Sequence, residues 1–109
     1  MPRRASLLAM LVMGLGLVSS ARAQSDDIAQ GRALAERLCV KCHLNPGQGE
    51  KSGPGSIPGF RAVAGRPGQS LHGVVGWLKG IPPMMPNHRL TQDEMFLLAQ
   101  YILSLRGEP

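Results

Sequence analysis

The chain has 109 residues with a formal charge of +5, and an export signal read over residues 1–23 would leave 86 residues, the size of one small domain. Because Arg3, Arg4 and Arg22 lie in that segment, the charge of residues 24–109 falls to +2. With only four aromatic residues after the signal (Phe60, Trp77, Phe96 and Tyr101) and no basic stripe between them, the composition excludes a nucleic-acid binder and a second domain.

Residues 1–23 carry the parts of a signal peptide in order: Arg3-Arg4, an apolar run from Leu7 to Val18, and Ala21-Arg22-Ala23 as a small-x-small cleavage site before Gln24. The apolar run of twelve residues would span about 18 Å as a helix, against about 30 Å of bilayer hydrocarbon. Export to the periplasm, cleavage and no stable membrane insertion are therefore expected, with the export route left open.

After the signal the pattern is helical. Ser25 or Asp26 can cap a first helix running to about Cys42, with Gly31, Ala35 and Cys39 making one face of small residues. That helix would end in Cys39-Val40-Lys41-Cys42-His43, where both cysteines of the chain lie. C-x-x-C-H is the signature of covalent haem attachment: two thiols separated by two residues can add to the two vinyl groups of one porphyrin, and the adjoining His43 can give an imidazole nitrogen to the iron. A disulfide, a redox dithiol and half a zinc site are the competing readings. Zinc would need another short ligand pair, whereas His72 and His88 stand far off, and a dithiol would need a preceding strand.

Residues 44–69 then read as a long irregular connection rich in Gly and Pro, a length that makes sense in a compact domain if it wraps a cofactor. Ile57, Phe60, Val63, Trp77, Leu78 and Ile81 are expected to line the resulting pocket. A second helix is predicted from about Ser70 to Lys79, ended by Gly80. Beyond it, Pro82-Pro83-Met84-Met85-Pro86 is expected to form an extended strap holding a sulfur over the haem, with Met84 and Met85 pointing to opposite sides. Met85 is the candidate sixth ligand, so that His43 and Met85 would be the iron ligands; Met84, His72, His88 or an open position remain alternatives. A last helix opens on a Thr91/Glu94 capping box with a Leu90/Met95 staple, buries Leu98, Tyr101, Ile102 and Leu105, and stops at Gly107.

These residues resemble the small soluble monohaem class I cytochromes c of bacteria, over nearly all of residues 24–109. The resemblance implies an all-α cytochrome c fold, three to four helices and long Gly/Pro-rich loops around one covalent haem. It implies that Gly31 lets the first helix approach the last at Leu98 and Tyr101, although Ala35 departs from the aromatic common there. It further implies that the Pro58 carbonyl receives the second nitrogen of His43, that Arg66 of Gly65-Arg66 contacts a haem propionate, and that Met85-Pro86 supplies the sixth ligand. Trp77 is expected on the Met85 side of the ring.

The function expected is that of a monomeric one-electron carrier between a protein donor and a protein acceptor, with no catalytic residues, because an iron with both axial positions filled has no place for substrate. A haem subunit of a periplasmic dehydrogenase, a haem sensor with a labile sixth ligand and a haem-free dithiol oxidoreductase are the rivals.

Overall fold

A computed structural model describes residues 2–43 and 57–107, with side chains from residue 19 onward. Among the described residues it contains four helices and no strand. Helix α1 spans Pro2–Leu38, α2 Phe60–Ala64, α3 Leu71–Lys79 and α4 Gln92–Ser104. The all-α reading holds, and α2 is an element within the connection expected to be irregular. Residues 44–56, the first half of that connection, lie outside the described residues.

Helix α1 corrects both expected boundaries. It runs without interruption through Ser25 and Asp26, so neither caps it. The reason is local: Ala21, Arg22, Ala23 and Gln24 all favour helix, and neither Gly nor Pro stands between Val18 and Ser25 to stop it. It also ends at Leu38, before the cysteines, and the chain then tightens into turns.

Helix α4 is the hub, packing against α1, α2 and α3. Its buried residues Leu98, Ala99, Tyr101 and Ile102 meet Leu34 and Ala35 of α1, Phe60 and Ala64 of α2, and Val74 and Val75 of α3 in one core. The crossing with α1 depends on Gly31. A Cβ there would fall 2.8 Å from the Cβ of Tyr101, 2.7 Å from the carbonyl carbon of Leu97, and closer still to its oxygen. The partners are Leu97 and Tyr101, one residue away from the expected Leu98 at one of the two positions.

The start of α4 is built as its sequence requires. The Glu94 amide donates to Thr91 Oγ1 at 3.1 Å, and the Thr91 amide donates to Glu94 Oε2 at 2.8 Å. Two N–H groups that the helix cannot satisfy itself are thereby paired. Thr91→Ala is expected to lower stability by about 1 kcal/mol in denaturant unfolding, and Thr91→Asn by only a few tenths. At its other end, Arg106 ties α4 to the α2–α3 connection. Its Nε donates to the Ala64 carbonyl at 3.2 Å and its Nη2 to the Gln69 carbonyl at 2.5 Å.

Helix α3 begins on Ser70, whose hydroxyl accepts from the Gly73 amide at 3.0 Å, and ends at Gly80. Gly80 stays right-handed at φ −74°, and the left-handed residue is Ile81, at φ 45°. A β-branched side chain is a costly occupant of that region, by roughly 1–2 kcal/mol.

Candidate functional site

The site begins where α1 stops. The Cys39 amide still donates to the Ala35 carbonyl at 2.8 Å, after which both Cys42 and His43 donate to the Cys39 carbonyl, at 3.2 and 2.9 Å. This winds Cys39, Cys42 and His43 into a single turn. Cys39 is half-buried and Cys42 exposed, and both are free thiols. Burial pushes the Cys39 thiol up to about 11, so it is a neutral thiol near pH 7. Conversion of such a group to a thioether removes no charge from the site.

His43 is held from two sides. Its Nδ1 lies 2.7 Å from the carbonyl oxygen of Pro58, and since a carbonyl can only accept, Nδ1 carries the proton. Nε2 is then left as the free lone pair. Phe60 stacks on the imidazole at 5.2 Å between ring centres and 12° between planes, and its own ring meets Tyr101 edge-on at 6.3 Å. The ring of His43 is thus connected through Phe60 to the α4 core, a link for which the C-x-x-C-H motif carries no signal.

The methionine segment is a turn and not the extended strap expected. The Met85 amide donates to the Pro82 carbonyl at 3.1 Å, and Met84 sits at φ 71°, the left-handed third position of the reversal. Prolines at 82 and 83 set the first half of that turn, which is the local preference that outweighed extension. The two sulfurs are nevertheless in different environments: Met84 is fully exposed at 102 % and Met85 half-buried. The alternative ligands stand in solvent. His88 is exposed, and His72 is exposed with its ring edge-on to Phe96 of α4.

Arg66 and Trp77 are brought to each other. The Arg66 guanidinium carbon lies 5.5 Å from the indole centre, and both residues are exposed. Of the pocket residues expected, Phe60 is buried and Ile57, Val63 and Leu78 are half-buried, whereas Trp77 and Ile81 are exposed. One residue the sequence did not single out is Arg61, next to Phe60. Its Nε is a buried polar atom without a hydrogen-bond partner.

These residues fit a haem better than a bare metal ion. Among the described residues no three His, Cys, Asp or Glu side chains gather as a metal cluster. In their place stand two unbridged thiols on one turn, an imidazole with a single defined lone pair, and an orphaned guanidinium nitrogen suited to an anionic group. An all-α chain with that donor set has the build of a small c-type cytochrome.

Comparison with curated proteins agrees. Over 88 residues the chain is 35 % identical to cytochrome c-552 of Bradyrhizobium diazoefficiens, a match covering 81 % of this chain and 84 % of the relative. The chain therefore belongs to the small monohaem class I cytochromes c, proteins of electron transfer that carry haem c. No family model matches the sequence, and no solved structure does.

Proposed function

We propose that this chain is an exported one-electron carrier, working in the periplasm between two redox proteins, with one haem joined through Cys39 and Cys42 and its iron held by His43 and Met85. The observation that carries the reading is the 2.7 Å bond from His43 Nδ1 to the Pro58 carbonyl, which fixes ring tautomer and orientation beside two free thiols. The haem iron would supply the exchange of one electron between its ferrous and ferric states. Everything else falls to the chain. Pro58 and Phe60 keep the imidazole from turning, and the half-buried Met85 offers a neutral sulfur that favours the ferrous state.

Such ligation leaves no position for substrate, so the protein acts as a carrier and not as an enzyme. The export reading rests on the Arg3-Arg4, apolar and Ala-x-Ala segments, with residues 24–109 as the working domain and as a monomer. Among the described residues no helix is long and apolar enough to cross a membrane.

The two methionines test the ligand assignment. Met85→Ala is expected to abolish the weak long-wavelength sulfur-to-ferric-iron band, admit exogenous ligands and lower the midpoint potential, while Met84→Ala leaves all three nearly unchanged. The reverse pairing would move the ligand to Met84. Loss of the band in neither variant would point to His72, His88 or an open position, and with it to a ligand-binding sensor. An alkaline pyridine haemochrome spectrum separates all of these from a haem-free dithiol protein.

A further inference from the structure

Helix α2 has five residues, well below the roughly 12 at which an isolated helix begins to hold in water. It nevertheless carries both partners of His43: Phe60 is its first residue, and Pro58 stands just before its N-cap Gly59. Phe60 and Ala64 hold α2 in the core by apolar packing. Such packing is non-directional, and it fixes the register of a helix less sharply than hydrogen bonds do. The bond from His43 to Pro58 needs that register. At 2.7 Å it is short, and it is lost once the two atoms stand about 3.5 Å apart.

Arg106 supplies the missing direction. Its Nε and Nη2 donate to the carbonyls of Ala64 and Gln69 across 42 and 37 residues of chain. The Ala64 carbonyl is one that the end of α2 leaves without an intrahelical partner. Gly65 after it stays right-handed at φ −82°, so the left-handed closure that commonly satisfies such a group is not made, and a cation takes its place. Gln69 belongs to the same unit: its Nε2 donates to the Val63 carbonyl at 3.2 Å and its amide to the Arg66 carbonyl at 3.1 Å. From there the Arg66 amide reaches the Val63 carbonyl at 3.4 Å, and the Val63 amide reaches the Gly59 carbonyl at 3.1 Å, next to Pro58. One guanidinium can grip both carbonyls because its N–H groups lie in a fixed planar fork.

We propose that Arg106 is a positioning residue for the iron histidine: by gripping the carbonyls of Ala64 and Gln69 it sets the register of α2, and so holds the Pro58 carbonyl to Nδ1 and Phe60 against the ring of His43. The proposal rests on the carrier reading above, in which Nε2 of that ring binds iron. A hydrogen bond donated by Nδ1 makes the imidazole a stronger electron donor through Nε2, which favours ferric iron and lowers the midpoint potential. Arg106 therefore acts on the potential through α2, Pro58 and His43 in turn. A ligand locked in one orientation also has less to rearrange when an electron arrives.

Proton NMR of the haem-loaded ferrous protein, together with its midpoint potential, supplies the test. Arg106→Met removes the donors of an exposed side chain and keeps its apolar stem. It is expected to speed exchange of the His43 Nδ1 proton with solvent at least about thirtyfold and to raise the midpoint potential. Arg106→Lys, a single ammonium on a flexible stem, should fall between the parent and Arg106→Met in both readings. Thr91→Ala controls for stability alone, because it weakens α4 at the opposite end. It should speed the exchange no more than about fivefold and leave the potential at the parental value.

Exchange in Arg106→Met no faster than in Thr91→Ala would overturn the proposal. So would faster exchange with the parental potential, the mark of a general loosening. If the methionine variant loads no haem, Arg106→Gln, with a shorter stem and one nitrogen, takes its place in the same two comparisons. His43 ring protons moved far upfield in the parent mark an imidazole seated over the haem. With those signals in place, Arg106 variants that match the parent would remove the positioning role and leave the carrier standing. Ring signals at ordinary positions in the parent would take His43 off the iron and remove both.

Discussion

Gly31→Ala is expected to cost at least about 2 kcal/mol in denaturant unfolding, and Gly31→Leu to prevent folding. The added carbon would meet Leu97 backbone and the Cβ of Tyr101, none of which can swing aside as a long side chain could. Alanine brings up to about 1 kcal/mol of helix propensity, which offsets part of the clash without removing it. The loss is large against the total stability of a domain of this size, roughly 4–13 kcal/mol. Gly76→Ala in α3 is the control: nothing lies within 4 Å of the position its Cβ would take, so it should be neutral or stabilise by about 1 kcal/mol. An unfolding midpoint for Gly31→Ala equal to that of the parent would refute the close α1–α4 crossing.

Cys39→Ser, Cys42→Ser and His43→Ala are each expected to lower the yield of haem-loaded protein at least about tenfold, measured by haem-stained gels. Each serine would remove one of the two proposed thioethers. His43→Ala acts further, because it takes the donor from the Pro58 carbonyl and the stacked partner from Phe60, loosening α2 from the turn at the end of α1. The core of the described residues is small, with Leu98 as its largest fully buried side chain, so a haem has much of the fold to organise. Recovery of folded, haem-free double serine protein with native helix content would sink that role for the haem.

Local features are legible from the residues alone. The Thr91/Glu94 capping box and the Ser70 start and Gly80 end of α3 each depend on side chains a few positions apart, and all sit where expected within a residue or so, whereas the first helix stops at Leu38, short of the expected Cys42. The Pro58 carbonyl on His43 comes from family resemblance and cannot be read from spacing, since fifteen residues separate the two. Other expectations fail for identifiable reasons. The α1 boundary expected at Ser25 is absent because a cap residue starts a helix only where the preceding chain is not already helical. The strap became a turn because two prolines favour a reversal as readily as extension, and the left-handed Met84 completes it.

What the sequence determined by itself is the chemistry: two thiols and an imidazole in one turn, and three helical stretches of apolar periodicity. The tertiary structure alone decided which surfaces meet. It set Gly31 against the Leu97 backbone, Phe60 against His43, Arg106 on the carbonyls of Ala64 and Gln69, and Arg66 over Trp77. The reason is physical. Capping, turn preference and ligand spacing are energies of neighbouring residues, whereas a crossing or a stack joins groups tens of residues apart and exists only once the helices have packed.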